Sequence, residues 1–148
     1  MTSLYAWLKF LHLAGLAIFL FGHGIVAATS FGLRGRPDAD HARTLLRYAR
    51  NSYALMYPGL LALLVTGVWM GFLGHWWGAV WIWTAIAIFV IVMLAMGFIG
   101  GAYHRARDAG QDDATLQERL TRTRPTLAAW LGSIGLLALI FLMVFKPL

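Results

Sequence analysis

A chain of 148 residues with 60% apolar and only 12% charged side chains has the size of one domain and about half the charge of a soluble one. A mean hydropathy of +0.70 and a pI near 10.3 place it among membrane proteins. The arginines fall in short stretches between apolar runs, where lipid contact and orientation account for them and nucleic acid is not an expected partner. The absence of cysteine excludes disulfides, thiolate-held metals, iron–sulfur clusters and covalent haem attachment.

Four apolar stretches, at residues 4–31, 53–73, 79–103 and 126–145, are long enough to cross a hydrocarbon core about 30 Å thick. Lipid offers the backbone no hydrogen-bond partners, so these are helices. The expectation is a single all-α domain, an integral membrane four-helix bundle. The first stretch is too long for a signal-peptide core and has no basic run before it, so it is expected to stay as a span.

That first span carries Lys9, His12 and His23, and an ionisable group in hydrocarbon is a functional candidate by default. Lys9, His12, Gly15, Phe19, Gly22, His23 and Val26 recur at steps of three and four and share one stripe. His12 and His23 are three turns apart, about 16 Å. Gly22 and Gly24 flank His23 and remove bulk beside its ring, which suits a flat cofactor or a closely packed helix. A histidine facing the bundle interior can ligate haem iron through one nitrogen while the other is held by a hydrogen bond. The alternative is a packing histidine bonded to a backbone carbonyl or to a facing Ser, Thr or Tyr. Lys9 is placed either to snorkel outward or to pair with an anionic group such as a haem propionate.

The first connection holds Arg34, Arg36, Arg43, Arg47 and Arg50. Pro37 and Asp38 precede a helix-start pattern, and Arg43, Arg47 and Arg50 share a face suited to lipid phosphates. In span two, Pro58 is expected to bend the helix, and Gly67 and Gly71 have small-xxx-small spacing. The second connection, around His75, Trp76 and Trp77, has no arginine. Span three repeats the small-residue spacing at Gly97 and Gly101 and ends in Tyr103-His104. His104 is read either as a snorkelling interfacial residue or as an axial partner of His23. His41 and His75 are expected to be solvated.

The third connection holds Arg105, Arg107, Arg119, Arg122 and Arg124. Asp112 and Asp113 favour a helix start there, Thr115 and Glu118 have capping-box spacing, and Pro125 opens span four. The arginines predict that connections one and three are cytoplasmic, with both termini outside, most simply in a bacterial inner membrane. Trp7, Trp69, Trp76, Trp77, Trp81 and Trp83 are then expected at the outer interface, and Trp130 toward the inner one.

The segment Trp7-Leu8-Lys9-Phe10-Leu11-His12 resembles the W-x-K-x-x-H opening of the small four-helix HemJ-type protoporphyrinogen oxidases and the related copper-resistance CopD-like membrane proteins. Arg47-Tyr48 ahead of Pro58 and Gly67, Tyr103-His104, Arg124-Pro125 and the terminal Lys146-Pro147 are similar in order. The resemblance implies a membrane protein that binds haem b, with His12 as ligand. In the HemJ type it further implies oxidation of a tetrapyrrole, protoporphyrinogen IX. The expectation is therefore a haem b protein in electron transfer or tetrapyrrole oxidation, with His12, His23, His104 and Lys9 at the cofactor. It would act as a homo-oligomer or as a subunit of a membrane complex. The alternatives are a cofactor-free structural subunit and transport of copper or a small solute, the last motivated by Met56, Met70, Met93 and Met96.

Overall fold

The computed structural model describes residues 2–35, 37–109 and 112–147; Arg36, read above as part of the first basic stretch, lies outside them. The protein is all-α: α1 (Thr2–Gly32), α2 (Ala39–Leu73), α3 (Val80–Arg107), α4 (Asp113–Thr121) and α5 (Pro125–Phe145), with short 3-10 turns at Leu33–Gly35 and Trp76–Gly78. No strand occurs among the described residues. α1, α2, α3 and α5 are long and apolar enough to cross a membrane.

The helices outrun the hydropathy. α2 is continuous over 35 residues, about 52 Å, where the sequence suggested a connection helix and a separate span beginning near residue 53. Asp38 starts it, its carboxylate accepting from the His41 N–H at 2.9 Å and its carbonyl from Ala42 N–H at 2.9 Å. Arg50, Asn51 and Ser52 are polar but do not break a helix, so hydropathy falls there while hydrogen bonding continues. The helix also runs unbroken through Pro58.

The chain divides into two compact units. The first, Met1–Ala28 with Tyr48–Gly78, is an antiparallel hairpin of α1 on α2. Its seam uses small residues at seven-residue spacing: Gly15 and Gly22 on α1, Ser52, Gly59 and Thr66 on α2, all buried. A Cβ on Gly15 would lie 3.1 Å from the Gly59 carbonyl oxygen, and one on Gly22 only 2.9 Å from the Met56 backbone nitrogen. Missing side chains let the two backbones touch, and dispersion between them replaces the hydrophobic effect that lipid cannot supply. At the hairpin's end, Trp76 meets Tyr5 edge-on at 6.3 Å.

The second unit, Thr29–Arg47 with Ala79–Leu148, contains the best-buried core. Leu33, Ala42, Leu46, Ala106, Leu116 and Leu120 cluster there, where the start of α2, the end of α3 and the amphipathic α4 meet. Polar bonds fasten its rim: Arg43 to Asp113 at 2.6 Å and Gln117 Nε2 to the Pro37 carbonyl at 2.9 Å. Asp112 caps α4, accepting from Ala114 and Thr115 N–H and from the Thr115 hydroxyl. Asp112 rather than Thr115 is therefore the N-cap, one turn earlier than the Thr115–Glu118 spacing suggested, and Glu118 pairs with Arg122 at 2.9 Å.

α5 runs antiparallel to α3. A Cβ on Gly135 would stand 2.6 Å from a Val92 methyl, and Lys146, past the end of α5, lies 5.5 Å above the Trp81 ring. Trp81, expected as an interfacial anchor, is buried at 4% exposure, whereas Trp7, Trp69 and Trp83 are exposed by half or more. Within this unit, the small-residue spacing on α3 meets no neighbouring helix among the described residues. Gly97 has no atom within 4 Å of a built Cβ, and Gly101 meets only the Arg105 side chain.

Candidate functional site

The α1–α2 hairpin places His12 against Thr66 and Gly67. His12 Nδ1 lies 2.9 Å from Thr66 Oγ1, and a Cβ on Gly67 would come within 3.3 Å of the imidazole Cε1. Gly67, noted in the sequence as a helix-packing residue, thus makes room for a ring. Thr66 is buried and its hydroxyl donates to the Ala62 carbonyl of its own helix at 2.5 Å.

That last bond decides the proton. A hydroxyl has one hydrogen to give, and here it goes to Ala62. Thr66 Oγ1 must then accept from His12, which fixes the Nδ1–H tautomer. The Leu63 carbonyl is a further acceptor at the imidazole. Nε2 is left with its lone pair, the state a histidine needs as a metal ligand or proton acceptor. The bond also satisfies one nitrogen, as a purely packing histidine would require.

The remaining sequence candidates are placed less tightly. Lys9 is exposed, one turn before His12 on α1. His23 is half-buried and stacks on Phe19, ring centroids 5.6 Å apart and planes 15° from parallel. The two glycines beside it differ in use: Gly22 is occupied by the α2 backbone, while a Cβ on Gly24 would meet nothing within 4 Å. The missing bulk at Gly22 therefore serves helix packing. His104 is exposed, in the last turn of α3, and belongs to the second unit. His41 and His75 are exposed, as expected.

Sequence reasoning missed Thr66. Threonine in a membrane helix is routinely bonded to its own i−4 carbonyl and attracts no notice. The available signal was its position seven residues after Gly59 and fourteen after Ser52, on the small-residue seam.

Among the described residues no group of three or more His, Cys, Asp or Glu is arranged to hold a metal ion. A haem iron needs only one or two protein donors, so a single oriented imidazole fits it where a bare ion would want more.

Four membrane-length helices with a tautomer-fixed histidine at a helix–helix seam define a small polytopic membrane protein with a candidate imidazole site. Over residues 6–147 the chain matches a family of predicted integral membrane proteins, DUF2269, and it belongs to that family. No curated protein and no solved structure matches it significantly.

Proposed function

We propose that the protein is a haem b-binding membrane protein of electron transfer or tetrapyrrole oxidation, with His12 Nε2 as the axial ligand. One observation supports this reading: Thr66 Oγ1, already bonded to the Ala62 carbonyl, lies 2.9 Å from His12 Nδ1, and accepting from an Nδ1–H there would leave Nε2 available, the orientation that outer partners give to metal-bound histidines. The resemblance of the Trp7–His12 segment to the HemJ-type and CopD-like proteins supports it. Lys9, one turn before His12 on α1, is close enough to pair with a propionate. A bound haem supplies a one-electron couple at its iron. The chain's part is to fix the imidazole's tautomer and aim, and to hold the site in an apolar seam where water is scarce. The arginine-rich connections support an orientation with both termini outside a bacterial inner membrane and this site toward its outer face.

A second reading, a cofactor-free subunit of a larger membrane complex, is favoured by the amount of apolar surface left on the helices. Phe98 is 87% and Leu94 71% exposed.

Reduced-minus-oxidised optical spectra of the detergent-purified protein test the first reading. A b-type difference spectrum is expected, lost in His12→Ala and kept in His75→Ala. A well-folded preparation without haem overturns it and leaves the subunit reading, which a stoichiometric co-purifying membrane protein would establish.

A further inference from the structure

One face of α3 runs from apolar to charged without interruption. Ile91, Leu94, Phe98, Gly101 and Arg105 follow one another at steps of three and four, and Gly97 lies three after Leu94 and four before Gly101, so they share a side of the helix. Phe98, Leu94 and Ile91 are exposed by 87%, 71% and 63%, and a Cβ on Gly97 would find open space for 4 Å. At its end, Arg105 does not extend away from the span. Its Nη1 lies 3.4 Å from where a Cβ of Gly101 would stand, so the guanidinium folds back one turn toward the apolar side.

No carboxylate among the described residues forms an ion pair with Arg105. A cation turned toward hydrocarbon is costly unless an anion meets it. α4 brings two more arginines to the same place. Arg119 donates through Nη1 to the Arg105 carbonyl, and Arg122 is held by Glu118. With Ala102, Asp108 and Thr115 these residues line an open cavity of about 540 Å³. Its three arginines outnumber Asp108 and Glu118, and Glu118 is already paired.

We propose that this cavity binds an anionic phospholipid. The phosphate is taken by the Arg105 and Arg119 guanidinium groups, and an acyl chain lies along the groove over Gly101, Gly97 and Leu94. A lipid fits better than a soluble anion because Arg105, which lines the positive site, also folds back to Gly101 on the exposed apolar face, and only a ligand with both a charge and a tail satisfies the two. Guanidinium groups match phosphate oxygens in pairs. The proposal concerns the second unit alone and stands whether or not haem is bound.

The test is native mass spectrometry of the full chain released from nanodiscs of mixed phosphatidylglycerol and phosphatidylcholine. Retention of phosphatidylglycerol is expected, with Arg105→Gln lowering it roughly tenfold, the scale of one charge-assisted contact. Gly97→Leu, which fills the groove without changing charge, should lower it as well, and Arg34→Gln should leave it unchanged. Millimolar inorganic phosphate should not displace the lipid. Equal retention by Arg105→Gln and Arg34→Gln overturns the site. Displacement by inorganic phosphate together with full retention in Gly97→Leu overturns the lipid in favour of a free anion.

Discussion

Gly59 of α2 lies so close to Phe19 of α1 that a Cβ on it would stand 2.6 Å from the Phe19 backbone nitrogen. The neighbour is main chain, so no side-chain rotation relieves the clash and the helices themselves must part. Gly59→Ala is expected to destabilise the hairpin by about 1–3 kcal/mol, the usual scale of overpacking. Gly24→Ala, where a Cβ meets nothing within 4 Å, should stay within about 0.5 kcal/mol of the parent. Unfolding titrations of both variants in one detergent decide it, and equal stabilities would show that the seam is looser than drawn.

The sequence made the four spans legible because hydropathy is a composition signal summed over some twenty residues. Their ends were less legible. At α2 the apolar count fails at Arg50–Ser52 while backbone bonding continues back to the Asp38 cap. Gly15, Gly22 and His12 were on the stripe read from periodicity, and they do face α2. Gly97 and Gly101 had the same spacing and, among the described residues of their own unit, meet no other helix, since spacing records what a helix can approach, not whether a partner is there. Thr66 was invisible because its role depends on where its single proton goes, which only the Ala62 carbonyl beside it settles.

The α4 cap gives a pH prediction. The Thr115 hydroxyl and backbone N–H, both bonded to the Asp112 carboxylate, hold it below the usual carboxylate range. A carboxyl depressed in the folded state adds stability that is present above its unfolded value, near 4, and is lost as pH falls through the folded one. The first turn of α4 should therefore loosen only in acid, below about pH 4. Hydrogen exchange at Ala114 and Thr115, corrected for intrinsic rate, reads this out. Asp112→Asn keeps an acceptor for the cap and should abolish the acid dependence while preserving protection near neutrality. An unchanged acid profile in that variant would place the titration elsewhere.

Lys146 ends α5 in the left-handed region, at φ 43° and ψ 52°, where a side chain costs about 1–2 kcal/mol. Its Nζ over the Trp81 ring at 5.5 Å returns about 0.5–1 kcal/mol. Lys146→Gly loses the ring contact and the backbone strain together and should be close to neutral. Lys146→Ala loses the contact and keeps the strain, so it should be the less stable of the two. Thermal unfolding of the pair gives the order, and a reversed order would mean that the backbone at residue 146 carries no left-handed strain in the folded protein.

The His12–Thr66 bond separates the haem reading from simple packing, because the two make different demands on the second ring nitrogen. Thr66→Val keeps the shape of the seam and removes the hydroxyl that accepts from Nδ1–H. If His12 only packs, the change leaves a poorly satisfied ring nitrogen and costs about 1–3 kcal/mol of stability, with no spectral consequence. If His12 is an axial ligand, its basicity and aim depend on that bond. Haem retention should then fall by about 10–100-fold, the range seen for outer partners of metal-bound histidines, and the Soret band of the remaining holoprotein should shift. Thr66→Ser restores an oxygen at the same place and should restore both. Haem titration into the three proteins under one set of detergent conditions makes the comparison. Equal affinities across native, Val and Ser forms would remove Thr66 from the site and His12's fixed tautomer from the mechanism.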